Sequence, residues 1–448
     1  MTCRYASLLP APLLLFATPA MAQTTPDGLS VSGSMRLRYE AIDNQARAGF
    51  NSSDELAELR TIVKAVWKRD GIQFVTELYD SRAWGANAGT PLSTGEVNTF
   101  EPVQAHIQAD LGSLLGPGTT TRLQAGRFTL DFGSRRIVAS DDYRNTTNGY
   151  TGMRADFVLR GGVKATGIYV LPQTRLPDDA SSLRTNVAAL DKESFAAVLW
   201  GGLLARQRKG SPLLAEASFV HFGERDTPGR LTRDRSLNNL GARVVVDPRP
   251  LHFDGGLEVI YQWGQTATSL TSGAPLVPVS ATFVRAHAGY SFAGRWKPRL
   301  LLEFDRASGD GPGRTYGRFD PLFGMRRADL GPAGLYNAIG RANIMSPGVR
   351  LEVTPSKRFD AFLGYRALWL ADRRDAFSTT GVRDASGQSG TFSGHQVDTR
   401  MRYWLVPANL RLEVNGVWLR RGHFLETAPN GRPGNVLYGS VNLTVLFP

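Results

Sequence analysis

Arginine returns at alternate positions in short stretches of this chain, as in "MRLRYE" (35–40) and "RMRYWL" (400–405). By the same spacing Arg60, Lys64, Arg122, Arg154, Arg350 and Arg366 join Arg36, Arg38, Arg400 and Arg402 on the polar side of their segments. A guanidinium stays charged at any physiological pH and grips a carboxylate with two parallel hydrogen bonds, so a row of them suits passage or binding of an anion. Acids fall on the same sides, among them Glu40, Glu58, Glu77, Asp156, Glu303, Asp305, Asp360 and Glu413. Two arrangements therefore stay open: cations facing an anionic solute, or ion pairs between neighbouring strands. Hydrolytic and nucleotide chemistry finds no footing, because GxxxxGK[ST], GxSxG and HExxH are all absent. Ser393 and His395 are the nearest approach to a nucleophile and base, and the expectation is a non-enzyme without cofactor or metal.

Alternation of this kind requires strands. In "LHFDGGLEVIYQWG" (251–264) every second residue is apolar or Gly, and His252, Asp254, Glu258 and Gln262 lie between. The pattern recurs from residue 29 to the end of the chain, and no long stretch with a 3.6-residue period could cover the oily faces. It predicts strands at 29–43, 55–68, 71–82, 101–111, 119–128, 152–160, 163–171, 193–205, 213–223, 237–247, 251–263, 282–293, 298–307, 347–354, 358–370, 395–406, 409–420 and 435–447. Connections alternate long and short throughout, with short ones such as "RDG", "DPRP" and "TPSK". The expected fold is all-β: a transmembrane antiparallel up-and-down barrel of about 18 strands, with short periplasmic turns and long extracellular loops. Lipid then covers the apolar face, including Leu37, Tyr39, Trp67, Tyr365, Trp369 and Trp418, and Trp404 alone among the tryptophans points inward.

The first residues, "MTCRYASLLPAPLLLFATPAMAQ", have the layout of a secretory signal cleaved after Ala22, which removes Cys3 and leaves 23–448 as a single barrel. The formal charge of +12 includes cations in the short turns (Arg69, Arg206, Arg208, Lys209, Arg295, Lys297, Lys357, Arg358) and in a loop (Arg326, Arg327). No basic helix or zinc spacing points to nucleic acid. The last strand, "VLYGSVNLTVLFP", places Leu437, Val441, Leu443, Val445 and Phe447 on one face and ends on Pro448.

Three stretches carry a resemblance. "LQAGRFTLDFGSRRIV" (123–138) with "DDYRNTTNGYTGMR" (141–154), and "FDRASGDGPGRTYGRFDPLFG" (304–324), are similar to segments of the alginate-export outer-membrane porin family. The last supplies the loop motif Ser308, Gly309, Asp310, Phe319, Asp320, Pro321, Leu322 and Phe323, whose apolar residues suit a loop folded inward or a lid. The likeness covers essentially the whole mature chain and departs from the family pattern at Asn148 and Thr151, where an Arg and an Asp are expected. It implies a passive channel for an anionic polysaccharide or its oligomers, stepping between Arg127, Arg154, Arg350, Arg366, Arg400 and Arg402. For Arg127 this needs a bulge at Gly126, since plain alternation sends it towards lipid. The implied setting is a monomer in the outer membrane among lipid and lipopolysaccharide, with a periplasmic scaffold protein left open as a partner. The alternative is a general or nutrient-uptake porin for small anions or sugars.

Overall fold

The computed structural model describes residues 27–141, 143–325 and 329–447. The signal segment with Cys3, and also Asp142, Arg326, Arg327 and Pro448, lie outside them. The chain forms eighteen strands: β1 Gly28–Asp43, β2 Asp54–Arg69, β3 Ile72–Trp84, β4 Asn98–Asp110, β5 Thr120–Phe128, β6 Tyr150–Val158, β7 Val163–Pro172, β8 Ala197–Gln207, β9 Leu213–Glu224, β10 Ser236–Val246, β11 Phe253–Ala267, β12 Leu276–Ser291, β13 Arg299–Ala307, β14 Ile344–Ser356, β15 Phe359–Trp369, β16 Phe392–Val406, β17 Leu410–Arg421 and β18 Val436–Phe447. Each pairs antiparallel with its sequence neighbours, and β1 pairs with β18 from Gly33↔Phe447 to Asp43↔Leu437. Closure leaves no edge, so the backbone polar groups are satisfied without water, which a hydrocarbon surrounding demands.

Strand β11 tells which face looks where. Its apolar residues are open, with Phe253 79% and Leu257 53% exposed, whereas Asp254, Glu258 and Gln262 are buried. The wall is thus inverted relative to a water-soluble sheet: its oily side faces outward all round, at Leu37, Val63, Phe74, Leu204, Leu302, Leu363 and Met401 among others. Lipid is the cover that makes such a surface stable. Trp404 faces inward, as expected, under the Arg411 guanidinium.

Three strands depart from the periodic pattern by four residues or more, β11 by running on to Ala267 and the other two at their starts. Strand β8 starts at Ala197 and not at 193, because residues 173–196 form a loop that fills a gap in the wall; β12 starts six residues early, at Leu276. The interior also differs from a uniformly wet lumen. At the end carrying the long loops, inward Phe128, Tyr150, Phe222 and Phe283 meet Phe319, Tyr336 and Ile339 of the loop 308–343 in one buried apolar cluster. Strand alternation marks these inward aromatics only as interior; that loops come in to dry them is a tertiary fact.

Candidate solute path

Two loops enter the barrel, and most of the predicted arginines hold them or the wall in place. Arg36 donates to the carbonyls of Tyr143 (3.0 Å) and Arg144 (2.8 Å), Arg60 donates to the Arg144 carbonyl (3.0 Å), and Arg38 donates to that of Tyr143 (2.5 Å). Asn145 completes the anchorage by donating to the carbonyls of Leu59, Arg82 and Glu96. Three strand cations thus cradle the backbone of the loop 129–149. Arg38 also pairs with Glu40 (3.0 Å) and Glu58 (3.4 Å), and Glu40 accepts from the Leu335 amide of the second inserted loop (2.9 Å).

That second loop, 308–343, carries Asp329 into a knot of guanidiniums. Arg136 binds Asp329 through two 2.8 Å bonds, Arg341 binds it directly, and Arg285 lies 3.5 Å away. Arg366 donates to the Asp329 carbonyl (2.6 Å) while pairing with Glu303 (3.0 Å) and Asp305 (2.8 Å), and Arg350 sits 3.4 Å from Glu303. Burial alone raises the Asp329 carboxyl; Arg136, Arg285 and Arg341 outweigh it and hold it well below the usual carboxylate range. The cluster is closed by its own acids, as buried ions must be.

The loop motif acts as a strap. Ser308 receives the Thr282 amide, the Asp310 amide donates to Asp375, and Asp320 accepts from Arg235 (2.7 Å). Phe319 packs on Phe283 at 5.6 Å, and Phe323 sits between Tyr150 (5.7 Å) and Phe222 (5.4 Å) while forming a bridge with Val138. Leu322 has a left-handed φ of 47°, just after Pro321, and its amide is held by the Asp320 carboxylate. The resemblance-carrying stretches 123–138 and 304–324 are therefore two sides of one contact. Gly309 permits a close approach, since a Cβ there would lie 2.1 Å from the Asn343 side chain. Whether the long loop enters the lumen or lids it is answered by Glu40, Gln262 and Gln396, three inward wall residues that it bonds.

Arg127 departs from expectation. The β4–β5 register runs unbroken through His106↔Gly126 to Ala105↔Arg127, so no bulge lies at Gly126; the irregularities are in the β3–β4 pairing, beyond Glu77 and Tyr79. Strands β4 and β5 part at Arg127, and its guanidinium spans the gap to Glu101 (2.6 Å), Glu193 (3.0 Å) and the carbonyls of Pro102 and Asp191. It is a wall clamp that seats the loop 173–196. In the same seam Asp191 accepts from Asn98 and the Leu176 amide, and burial together with nearby Glu101 pushes its carboxyl up to about 7. A carboxyl raised on docking favours the docked state most at pH below its free value of about 3.9, and loses that advantage as pH rises through 7. Amide exchange in 186–193 is expected to be slower at pH 5 than at pH 8, after correction for intrinsic rates, and Asp191→Asn should flatten the dependence.

Below the loops the inward charges form wall pairs. Arg154 meets Asp156 (2.7 Å), Arg122 meets Asp110 (4.0 Å), and Arg400 and Arg402 share Asp360 (3.0 Å each). Lys64 lies opposite Glu77 in the register and has no carboxylate within 4.0 Å among the described residues. Ser393 and His395 engage different partners: the serine hydroxyl donates to the Thr391 carbonyl, and His395 bonds the Tyr365 hydroxyl on the outer face.

What spacing missed is a chamber of about 300 Å³ among the loops, lined by Thr94, Glu96, Arg144, Asn148, Arg175 and Phe323 with Asn337. Arg144 (2.9 Å) and Arg175 (2.6 Å) both donate to the Asn148 side-chain oxygen. Arg144 also pairs with Asp141 at 3.0 Å, whereas Arg175 has no carboxylate within 4.0 Å among the described residues. Burial and the adjacent Arg144 push the Arg175 guanidinium down to about 10. Asp141 and Glu96 share the lining with these two cations. Both residues stand in loops, where no period marks them; the "DYRN" stretch is the only signal that singles out Arg144.

Comparison with known proteins places this architecture. The alginate export family model matches residues 27–437. Among solved structures, a BenF-like porin from Pseudomonas fluorescens Pf-5 superposes with a TM-score of 0.60 at 12% identity, covering 94% of this chain and 98% of that one. Pseudomonas aeruginosa OccK2 (OpdF), in complex with glucuronate, gives 0.56 at 13% identity, covering 93% and 96%. OccK5 (OpdH) of the same organism gives 0.55 at 11%, covering 94% and 98%. No curated protein matches in sequence. With its inverted wall, closed eighteen-strand sheet and a family match along nearly all its length, the chain belongs to the alginate export family and is a channel of the bacterial outer membrane.

Proposed function

We propose that the channel passes an anionic polysaccharide or its oligomers without catalysis, and that solute carboxylates are met first at Arg144 and Arg175. The observation that carries this is the two-cation chamber, where Arg175 has only neutral partners among the described residues. From there the half-exposed wall cations Arg154, Arg400 and Arg402 offer further contacts, each already shared with an aspartate and so weak enough to release. Arg36, Arg38, Arg60, Arg127, Arg350 and Arg366 serve as framework, and Arg122 and Lys64 line the lower path. The family supports a uronate-bearing solute, and a channel of the same fold has been crystallised with glucuronate. Asn148, in place of the Arg the family pattern suggests, thins the positive charge and suits shorter or less densely charged oligomers.

Single-channel current in planar bilayers under a salt gradient tests this. An anion-selective reversal potential is expected, with concentration-dependent block by uronate oligomers. A charge-assisted hydrogen bond contributes about 1.5–3 kcal/mol, so Arg175→Gln should weaken the block roughly 10- to 100-fold. An unselective pore, indifferent to uronates in the wild type, would make the general porin the better description.

A further inference from the structure

The outer wall carries a groove of about 490 Å³ between β7 and β11. The cross-strand register builds it: Ala215 and Ala217 on β9 and Ala242 on β10 form its floor, and Leu204 on β8 with Leu257 and Val259 on β11 form its sides. All six lie on the outward face, so the groove opens to the membrane. At its periplasmic end stands Arg206, outward beside Val163 and Ala215 and exposed, followed in the turn by exposed Arg208 and Lys209.

The charge of this rim is lopsided. The turns joining β8–β9, β10–β11, β12–β13 and β14–β15 expose Arg208, Lys209, Arg249, Arg295, Lys297, Lys357 and Arg358 against the single acid Asp247. None of these cations has a carboxylate within 4.0 Å among the described residues. On the opposite side Arg69 is matched by Asp70 (3.4 Å), and the turn 111–119 is uncharged. Exposed aromatics accompany the basic arc, with Trp296 57% and Phe253 79% exposed, at the level where such rings meet headgroups.

We propose that the groove holds one anionic glycerophospholipid of the inner leaflet, with an acyl chain along the alanine floor and its phosphate on Arg206, Arg208 and Lys209. The occupant follows from two features together. An outward apolar groove at membrane depth takes a hydrocarbon chain, and unpaired cations at its periplasmic mouth select a negative headgroup. A soluble acidic protein would satisfy the turns but leave the groove unfilled. The inference concerns the outer wall and is independent of which solute crosses the lumen.

The test is native mass spectrometry of the whole barrel released from nanodiscs containing equal phosphatidylglycerol and phosphatidylcholine. The wild type should retain phosphatidylglycerol in several-fold excess. Arg206→Gln with Arg208→Gln and Lys209→Gln should bring the ratio near one, Ala217→Leu should lower retention of both lipids, and Arg69→Gln on the opposite side should change neither. Heat-dependent migration in gels confirms that each barrel is folded; if Ala217→Leu fails this, Ala242→Val replaces it. Equal retention of both lipids by the wild type, or an undiminished preference in the triple variant, would overturn the proposal. A dimer that disappears in Ala217→Leu would also overturn it, by giving the groove to a second copy.

Discussion

Asp329→Ala is expected to free the loop 308–343 from the lumen. The carboxylate is buried and is the shared partner of Arg136, Arg285 and Arg341; on its removal Arg136 keeps Glu258 and Arg285 keeps Glu303 and Asp305, but Arg341 is left with no carboxylate within 4.0 Å among the described residues. Breaking a buried ion pair by deleting one partner costs about 3–5 kcal/mol. If that cost falls on loop docking, amides of 330–343 should exchange roughly a hundred- to several-thousandfold faster, and single-channel current should become larger and noisier. Unchanged exchange would mean that Leu330, Leu335, Tyr336 and Ile339, all buried, hold the loop without the ions. The pH dependence has a definite sign. A carboxyl held well below its usual value supports docking above the ordinary carboxylate range and loses that support only as pH falls through its lowered value. Acidification to about pH 5 should therefore leave this loop seated, while the Asp191 seam tightens over the same range.

Arg38→Met should be the most damaging substitution in the strands. Arg38 is almost wholly buried, and it donates to Asn442, to Glu40 and to the Tyr143 carbonyl, with Glu58 at 3.4 Å. Methionine fills much of the volume but leaves the Glu40 and Glu58 carboxyls buried on the β1–β2 pair without their shared cation, a loss again of about 3–5 kcal/mol. Two readouts separate wall from loop. A lower urea midpoint for the barrel reports the wall, and protease cleavage within 129–149 reports the loop whose carbonyls Arg38 holds. Restoring neutrality with Arg38→Met plus Glu58→Gln should recover most of the midpoint while leaving the loop cleavable, because the Tyr143 carbonyl still lacks its donor. A single variant that behaves like the wild type in both would show that Arg36 and Arg60 carry the anchorage alone.

The alternation in "LHFDGGLEVIYQWG", repeated along the chain with long and short connections in turn, determined the barrel, its strand number and which face meets lipid. Strand period is a local property: it fixes which residues share a face without knowledge of any neighbour. The same logic placed Arg36, Arg38, Arg60, Arg400 and Arg402 correctly on the inner side. It could not assign their work, because a partner across the wall depends on register, and Arg285 opposite both Glu258 and Asp305 becomes visible only once β11, β12 and β13 are aligned. Arg127 shows the limit most plainly: its role is set by where β4 and β5 separate, which no spacing records. The loop residues Arg136, Asp329, Arg144 and Arg175 have no period at all, and only the docking of three loops, two inside the barrel and one in its wall, brought them together. The sequence by itself determined a membrane barrel with a charged interior; the tertiary structure decided which of those charges are paired and with whom, because pairing is settled by distance in space and not along the chain.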